Sequence, residues 1–156
     1  MPTITLKTFI DAPIERVFDL SRSIDLHKIS TSQSNEEAIA GKISGLIELH
    51  ETVTWQAKHF GIVQTLTSKI SEFNRPHYFV DEMLDGVFNS IHHLHLFSVE
   101  NGKTNMRDEF KYTAPMGLLG EIADQLFLKS YLTKLLTKRN AIIKDYAESD
   151  KYQAFL

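Results

Sequence analysis

The chain has 156 residues, no cysteine, and 17 lysines and arginines against 20 aspartates and glutamates, a net charge of −3. That length suits one domain spanning 1–156, able to bury a core without covalent staples. The absence of cysteine excludes disulfides, thiolate metal sites and cysteine nucleophiles, and the charge balance lacks the basic stripe of a nucleic-acid-binding protein.

No window reaches the roughly 18 consecutive apolar residues of a membrane span. The opening Met-Pro-Thr-Ile-Thr-Leu-Lys has no basic segment leading into an apolar one. The expectation is a soluble, cytoplasmic protein. Thr3 to Ile10 alternates, with Ile4, Leu6, Thr8 and Ile10 on one face, and predicts a half-buried strand. Asp11-Ala-Pro13-Ile-Glu15 reads as a helix start. Pro13 suits a first turn that needs no N–H, and an acid suits the positive helix end. Ile14, Val17 and Phe18 supply the apolar stripe of this short helix, and a second follows around Ile24 to Ile29. Residues 31–45 are polar and glycine-punctuated, which predicts a loop or irregular edge.

Strand patterns then dominate. Ile47, Leu49, Glu51, Val53, Trp55 and Ala57 share one face of a predicted strand, and Glu51 lies near its solvent-reachable start. A Thr/Ile/Val-rich run from Phe60 to Phe73 ends at Asn74-Arg75-Pro76. Asp85-Gly86 and Asn101-Gly102 are hairpin signals, since both dipeptides tolerate the positive φ of a type I′ turn. From Gly117 onward the period becomes helical. Leu128, Leu132, Leu135, Arg139, Ile142 and Tyr146 form one stripe, whereas Ile122 and Leu126 lie on another. A break near Phe127 to Lys129 is therefore predicted, with a short helix before it. Consecutive strands joined by tight turns and closed by one long helix give an α+β fold.

Register follows from the turns. If Asn101-Gly102 is a two-residue loop, Phe97 faces Met106, His95 faces Asp108, His93 faces Phe110 and Ile91 faces Tyr112, all on one side of the sheet. The other side of the later strand carries Arg107, Glu109 and Lys111, so the histidine face points inward. The same counting across Asp85-Gly86 pairs Leu84 with Val87, places Tyr78 opposite His93 and sets Val80 opposite Ile91. The result is an apolar inner surface bearing one polar cluster of Tyr78, His93, His95, Asp108 and Tyr112, the usual composition of a small-molecule pocket. A carboxylate beside an imidazole raises its pKa and burial lowers it; the sequence alone does not decide between them.

The ordered set of motifs resembles a family. Asp11-Ala-Pro-Ile-Glu-Arg-Val-Phe18, Glu51-Thr-Val-Thr-Trp55, Pro76-His-Tyr-Phe-Val-Asp81 and Gly86-Val-Phe88 are part of it. So are His93-Leu-His95-Leu-Phe97, Met106-Arg-Asp108-Glu-Phe-Lys-Tyr112-Thr-Ala-Pro115-Met-Gly117 and Lys138-Arg-Asn140. Together they are similar to the START or birch-pollen-allergen superfamily (SRPBCC), in its bacterial polyketide-cyclase-like ligand-binding branch. The resemblance implies a helix-grip fold: a curved antiparallel sheet of about six to seven strands around a long C-terminal helix, with a hydrophobic cavity between them. One departure is Ile91, where many relatives carry Trp.

The expected function is binding or carrying a small hydrophobic molecule, such as a lipid or polycyclic metabolite. The ligand-contacting candidates are Trp55, Tyr78, Ile91, His93, His95, Phe97, Asp108, Phe110, Tyr112, Leu135 and Arg139. The alternative is a cyclase- or dehydratase-like enzyme. In it His93 or His95 moves a proton, Asp108 orients the base, and Tyr112 or Tyr78 stabilises negative charge. A third reading is a protein-interaction domain with a vestigial cavity. Met116-Gly-Leu-Leu-Gly120 could gate the pocket. His93 and His95 share a face with Asp108, which permits a metal, but no further ligand spacing accompanies them. Neither metal nor cofactor is assigned, and no oligomeric state follows.

Overall fold

The computed structural model describes residues 2–59, 61–115 and 127–156. In chain order the elements are β1 (Thr3–Ile10), α1 (Ile14–Ser21), α2 (Ile24–Ser30), β2 (Glu37–Gly41), β3 (Thr52–His59) and β4 (Ile62–Asn74). They continue with β5 (Tyr78–Asp85), β6 (Ser90–Glu100), β7 (Lys103–Thr113) and α3 (Lys129–Ala147). The strands form one 7-stranded sheet in the order β1-β7-β6-β5-β4-β3-β2, and every neighbouring pair is antiparallel. With the long C-terminal helix and the short helices after β1, this is the helix-grip arrangement.

Local chemistry sets the element ends. Pro13 precedes α1, Glu15 lies in its first turn, and Val17, Phe18, Leu20 and Ser21 are its buried side. Ser23 caps α2, its hydroxyl accepting the Leu26 N–H at 3.2 Å. Phe18 meets Phe73, Phe79 and Phe97 edge-on at centroid distances of 5.4, 5.3 and 5.2 Å, which fixes α1 against the sheet. β4 carries two irregularities against β5, at Thr67/Ser68 and Ile70/Glu72; such bulges bend a long strand. The edge strand β2 is short and irregular in its pairing to β3, in keeping with the polar stretch it comes from. No helix among the described residues is long and apolar enough to cross a membrane.

Between β6 and β7 the hairpin is the predicted one. Glu100 pairs with Lys103, and Asn101 and Gly102 take φ of +52° and +76°. His95 lies opposite Asp108 and His93 opposite Phe110.

Three expectations need correction. Residues 47–51 do not extend β3. His50 has φ of +70°, and the Glu51 N–H returns to Glu48 O at 3.0 Å, so the strand starts only at Thr52.

The β5–β6 connection is not a two-residue turn at Asp85-Gly86. β5 runs through Asp85, which still pairs with Thr67 of β4, and residues 86–89 make the loop. Tyr78 therefore pairs with Leu96 rather than His93. The offset is 96 − 93 = 3 residues, an odd number, which turns the opposite face of β5 inward. Gly86 is needed for space rather than for φ: a Cβ there would lie 2.9 Å from Met83 Sδ and 3.3 Å from Leu66 Cγ.

The buried stripe of α3 is Leu132, Leu136, Arg139, Asn140, Ile143 and Ala147, displaced by one position from the expected stripe over most of its length. Leu135, Ile142 and Tyr146 are not part of that buried stripe. A π-type turn at Phe127 and Leu128 leads into α3. The short helix expected before it and the Met116–Gly120 gate lie outside the described residues.

Candidate functional site

Sheet and helix enclose a hollow of about 370 Å³. Its walls come from two apolar clusters. Trp55, Ile70 and Phe79 belong to one, and Phe110, Leu132 and Leu136 to the other. Of the predicted contact residues, Trp55, Ile91, His93, His95, Phe110, Leu135 and Arg139 line it.

Four do not. The odd register offset puts Tyr78 on the face of β5 opposite Phe79 and Asp81, and the latter two line the hollow in its place. Phe97 is 4% exposed and is packed on Phe18 and Phe79. Tyr112 is fully buried beside Phe88 and Phe110. Asp108, also fully buried, sits behind the lining side chains.

Asp108 is the hub of a buried network. Its Oδ1 is 2.8 Å from His93 Nε2, 3.3 Å from His95 Nδ1 and 3.6 Å from Arg139 Nη1. Asn140 Nδ2 donates to Oδ2 at 2.7 Å. Arg139 is held in turn, Nη1 donating to Asn140 Oδ1 at 2.9 Å and Nη2 to Ser21 O at 3.3 Å. Burial raises the Asp108 pKa, but the His93 and His95 contacts and the Arg139 charge outweigh it and hold the carboxyl well below 3.8. Burial pushes His93 down, and His95 adds to the push. Despite Asp108 it falls to about 4, so the imidazole is neutral at neutral pH. At His93 burial therefore outweighs the neighbouring carboxylate. The hydrogen bond to Asp108 comes from diagonal His93 and not from its cross-strand partner His95.

His95 is sandwiched, its ring stacked on Phe79 at 4.2 Å and tilted over His93 at 3.7 Å. Asp81 lies across from His93 and 3.9 Å from His95 Nε2. Its side chain is 32% exposed although it is deep in the protein, because what it is exposed to is the hollow. Burial raises its pKa, and His95 and His93 bring it below 3.8.

A second polar group lines the same hollow and was not foreseen. His27 Nε2 is 3.2 Å from Glu36 Oε2, and the His27 ring lies 4.3 Å from that of Trp55. His59 Nδ1 and Tyr131 OH are 2.5 Å apart, joining the end of β3 to α3. Burial raises Glu36, but His27 outweighs it and lowers the pKa below 4.5. No local signal in the sequence marks this group, since Glu36 falls in the stretch read as irregular and nothing in the spacing relates it to His27 or His59.

The fold defines the class: a helix-grip domain, an antiparallel sheet closed by a long C-terminal helix. No family model matches the sequence, and no curated protein matches it. Solved structures do match. A protein from Thermus thermophilus superposes with a TM-score of 0.71 at 17% identity, covering 91% of this chain and 97% of that one. The KanY protein gives 0.72 at 13% identity, with 96% and 100% covered. The major latex-like protein 151 from Panax ginseng gives 0.68 at 13% identity, with 95% and 98% covered.

Proposed function

We propose that the protein binds and carries a small, mainly apolar molecule in the hollow between sheet and α3. The supporting observation is the hollow itself. About 370 Å³ lies within the range of small-molecule pockets, and its mostly apolar walls carry a few convergent polar groups. A ligand burying roughly 200 Å² of apolar surface gains about 5 kcal/mol before the cost of immobilisation. Asp81, His93 and Arg139 at one part of the lining, and Glu36, His27 and His59 at another, orient its polar atoms. A lipid or polycyclic metabolite fits this chemistry. The enzyme alternative loses two of its supports, because neither Tyr78 nor Tyr112 reaches the lining.

Native mass spectrometry of protein purified from its own cells tests the reading, with a co-purifying apolar molecule as the expected result. Ala57 lines the hollow at 7% exposure. Ala57→Trp should fill it and abolish retention while the domain still folds. Retention undiminished in that variant would place the molecule elsewhere and overturn the reading.

A further inference from the structure

Three side chains converge on the hollow from two neighbouring strands. Asp81 on β5 and His93 and His95 on β6 each offer a donor atom, and these atoms lie within 4.8 Å of one another. All three line the hollow. His95 is 2% exposed, yet neither of its ring nitrogens has a hydrogen bond of acceptable geometry among the described residues. A buried imidazole left that way costs free energy unless something else engages it. Its polar neighbours are carboxylate oxygens: Asp108 Oδ1 at 3.3 Å from Nδ1 and Asp81 Oδ2 at 3.9 Å from Nε2. The second distance is too long for a hydrogen bond. It is about half an ångström longer than the roughly 3.4 Å between two ligands that share one tetrahedral ion at about 2.0–2.2 Å each.

We propose that Asp81, His93 and His95 form a site for a divalent first-row transition-metal ion whose open coordination positions face the hollow. Two imidazoles and one carboxylate are a donor set suited to zinc with an open position or to non-haem iron(II). Asp108 stands behind both rings, 2.8 Å from His93 Nε2 and 3.3 Å from His95 Nδ1, where a carboxylate orients metal-binding histidines. A metal ion takes imidazoles in their unprotonated form, and in that state Asp81 and Asp108 outweigh Arg139 by one negative charge. Bringing donors that are up to 4.8 Å apart to the roughly 3.4 Å of a tetrahedral site closes gaps of up to about 1.4 Å and turns the His93 and His95 rings, which face each other at 3.7 Å and 30°, out of their stack. Asp81, open to the hollow, has room to move. The site stands apart from the binding of an apolar ligand, since an ion needs no organic molecule to bind here.

The test uses full-length, tag-free protein stripped by dialysis against a chelator. Titration with Co²⁺ alone should produce the visible d–d bands of a site with fewer than six ligands, and Zn²⁺ should abolish them. Calorimetry with Zn²⁺ alone should show one site per chain. Asp81→Asn and His95→Ala should each weaken binding more than tenfold, and Asp108→Asn by roughly 10–100-fold. His92→Ala should leave it unchanged, because that ring is on the opposite face, 3.8 Å from Glu82. Should His95→Ala fail to fold, Asp81→Asn and the ring-nitrogen resonances of the wild-type protein carry the test. Zn²⁺ should then shift His93 and His95 alone. Absence of bands and heat with the wild type, binding that survives Asp81→Asn, or shifts on other histidines instead would each overturn the proposal.

Discussion

Asp81 sits directly across from His93 on the neighbouring strand, while Asp108 meets the same imidazole from the other side at 2.8 Å. Two acids thus bracket one ring in different environments. Asp108 is 0% exposed and Asp81 is 32% exposed to the hollow. Removing Asp108 leaves the Asn140 amide and the His93 N–H without their acceptor and the buried Arg139 charge without its counter-charge, so Asp108→Ala should destabilise the fold by about 3–5 kcal/mol. Asp81→Asn breaks no hydrogen bond of good geometry and should cost about 1 kcal/mol or less. Urea unfolding of both variants checks this, and equal losses would contradict the distinction.

The same pair shows where sequence reasoning succeeds and stops. β6 and β7 are joined by a turn whose two residues need positive φ, so Asn101-Gly102 dictates the register residue by residue, and His93, His95 and Asp108 emerge together. At Gly86 the glycine answers to the crowding of Met83 and Leu66, a tertiary demand that looks identical in sequence to a turn signal. Misreading it reverses β5, brings in Tyr78 and hides Asp81. Asn140 is missed for a different reason. It lies off the expected stripe, and nothing in the spacing relates it to the Asp108 oxygen that it satisfies at 2.7 Å. Glu36 and His27 are contacts between elements with no shared period. The fold, by contrast, rests on alternation and helical spacing distributed over the whole chain, and local register errors do not disturb it.

Trp55 is the sole tryptophan, lines the hollow and packs against the His27 ring at 4.3 Å. A molecule entering the hollow must change the surroundings of that indole. Titration with anilinonaphthalene sulfonate should therefore shift tryptophan emission and show energy transfer from Trp55. Ala57→Trp should suppress binding of the probe. Probe binding with an unaltered Trp55 signal would mean that it occupies an outer surface.

Acid sensitivity has a defined source outside the hollow. Asp19 accepts from Arg75 Nη2 at 2.6 Å, Arg75 Nε at 2.9 Å and Arg22 Nε at 2.9 Å. Burial raises its pKa, but these bonds prevail and hold it below 3.8. The folded pKa is depressed, so the stabilisation is present above the unfolded value and is lost as pH falls through the folded one. Arg75 is 42% exposed, which limits its share. Arg75→Ala should cost less than about 1 kcal/mol at neutral pH, and its difference from wild type should shrink as the pH falls from 3.8 through the lowered pKa of the folded Asp19. Unfolding free energies measured across that range would refute this if the gap persisted or widened.

Two glycines with nearly equal φ separate strain from crowding. Gly102 at +76° has nothing within 4 Å of a built Cβ, so Gly102→Ala should cost only the left-handed penalty of about 1–2 kcal/mol. Gly41 at +73° would drive its Cβ into the carbonyl of Thr52, the same oxygen that accepts the Lys42 N–H at 2.7 Å. That neighbour is backbone and cannot rotate away. Gly41→Ala must pull β2 from the start of β3, and its loss in thermal unfolding should be at least twice that of Gly102→Ala. Similar losses for the two would show that β2, as an irregular edge strand, gives way without straining the sheet.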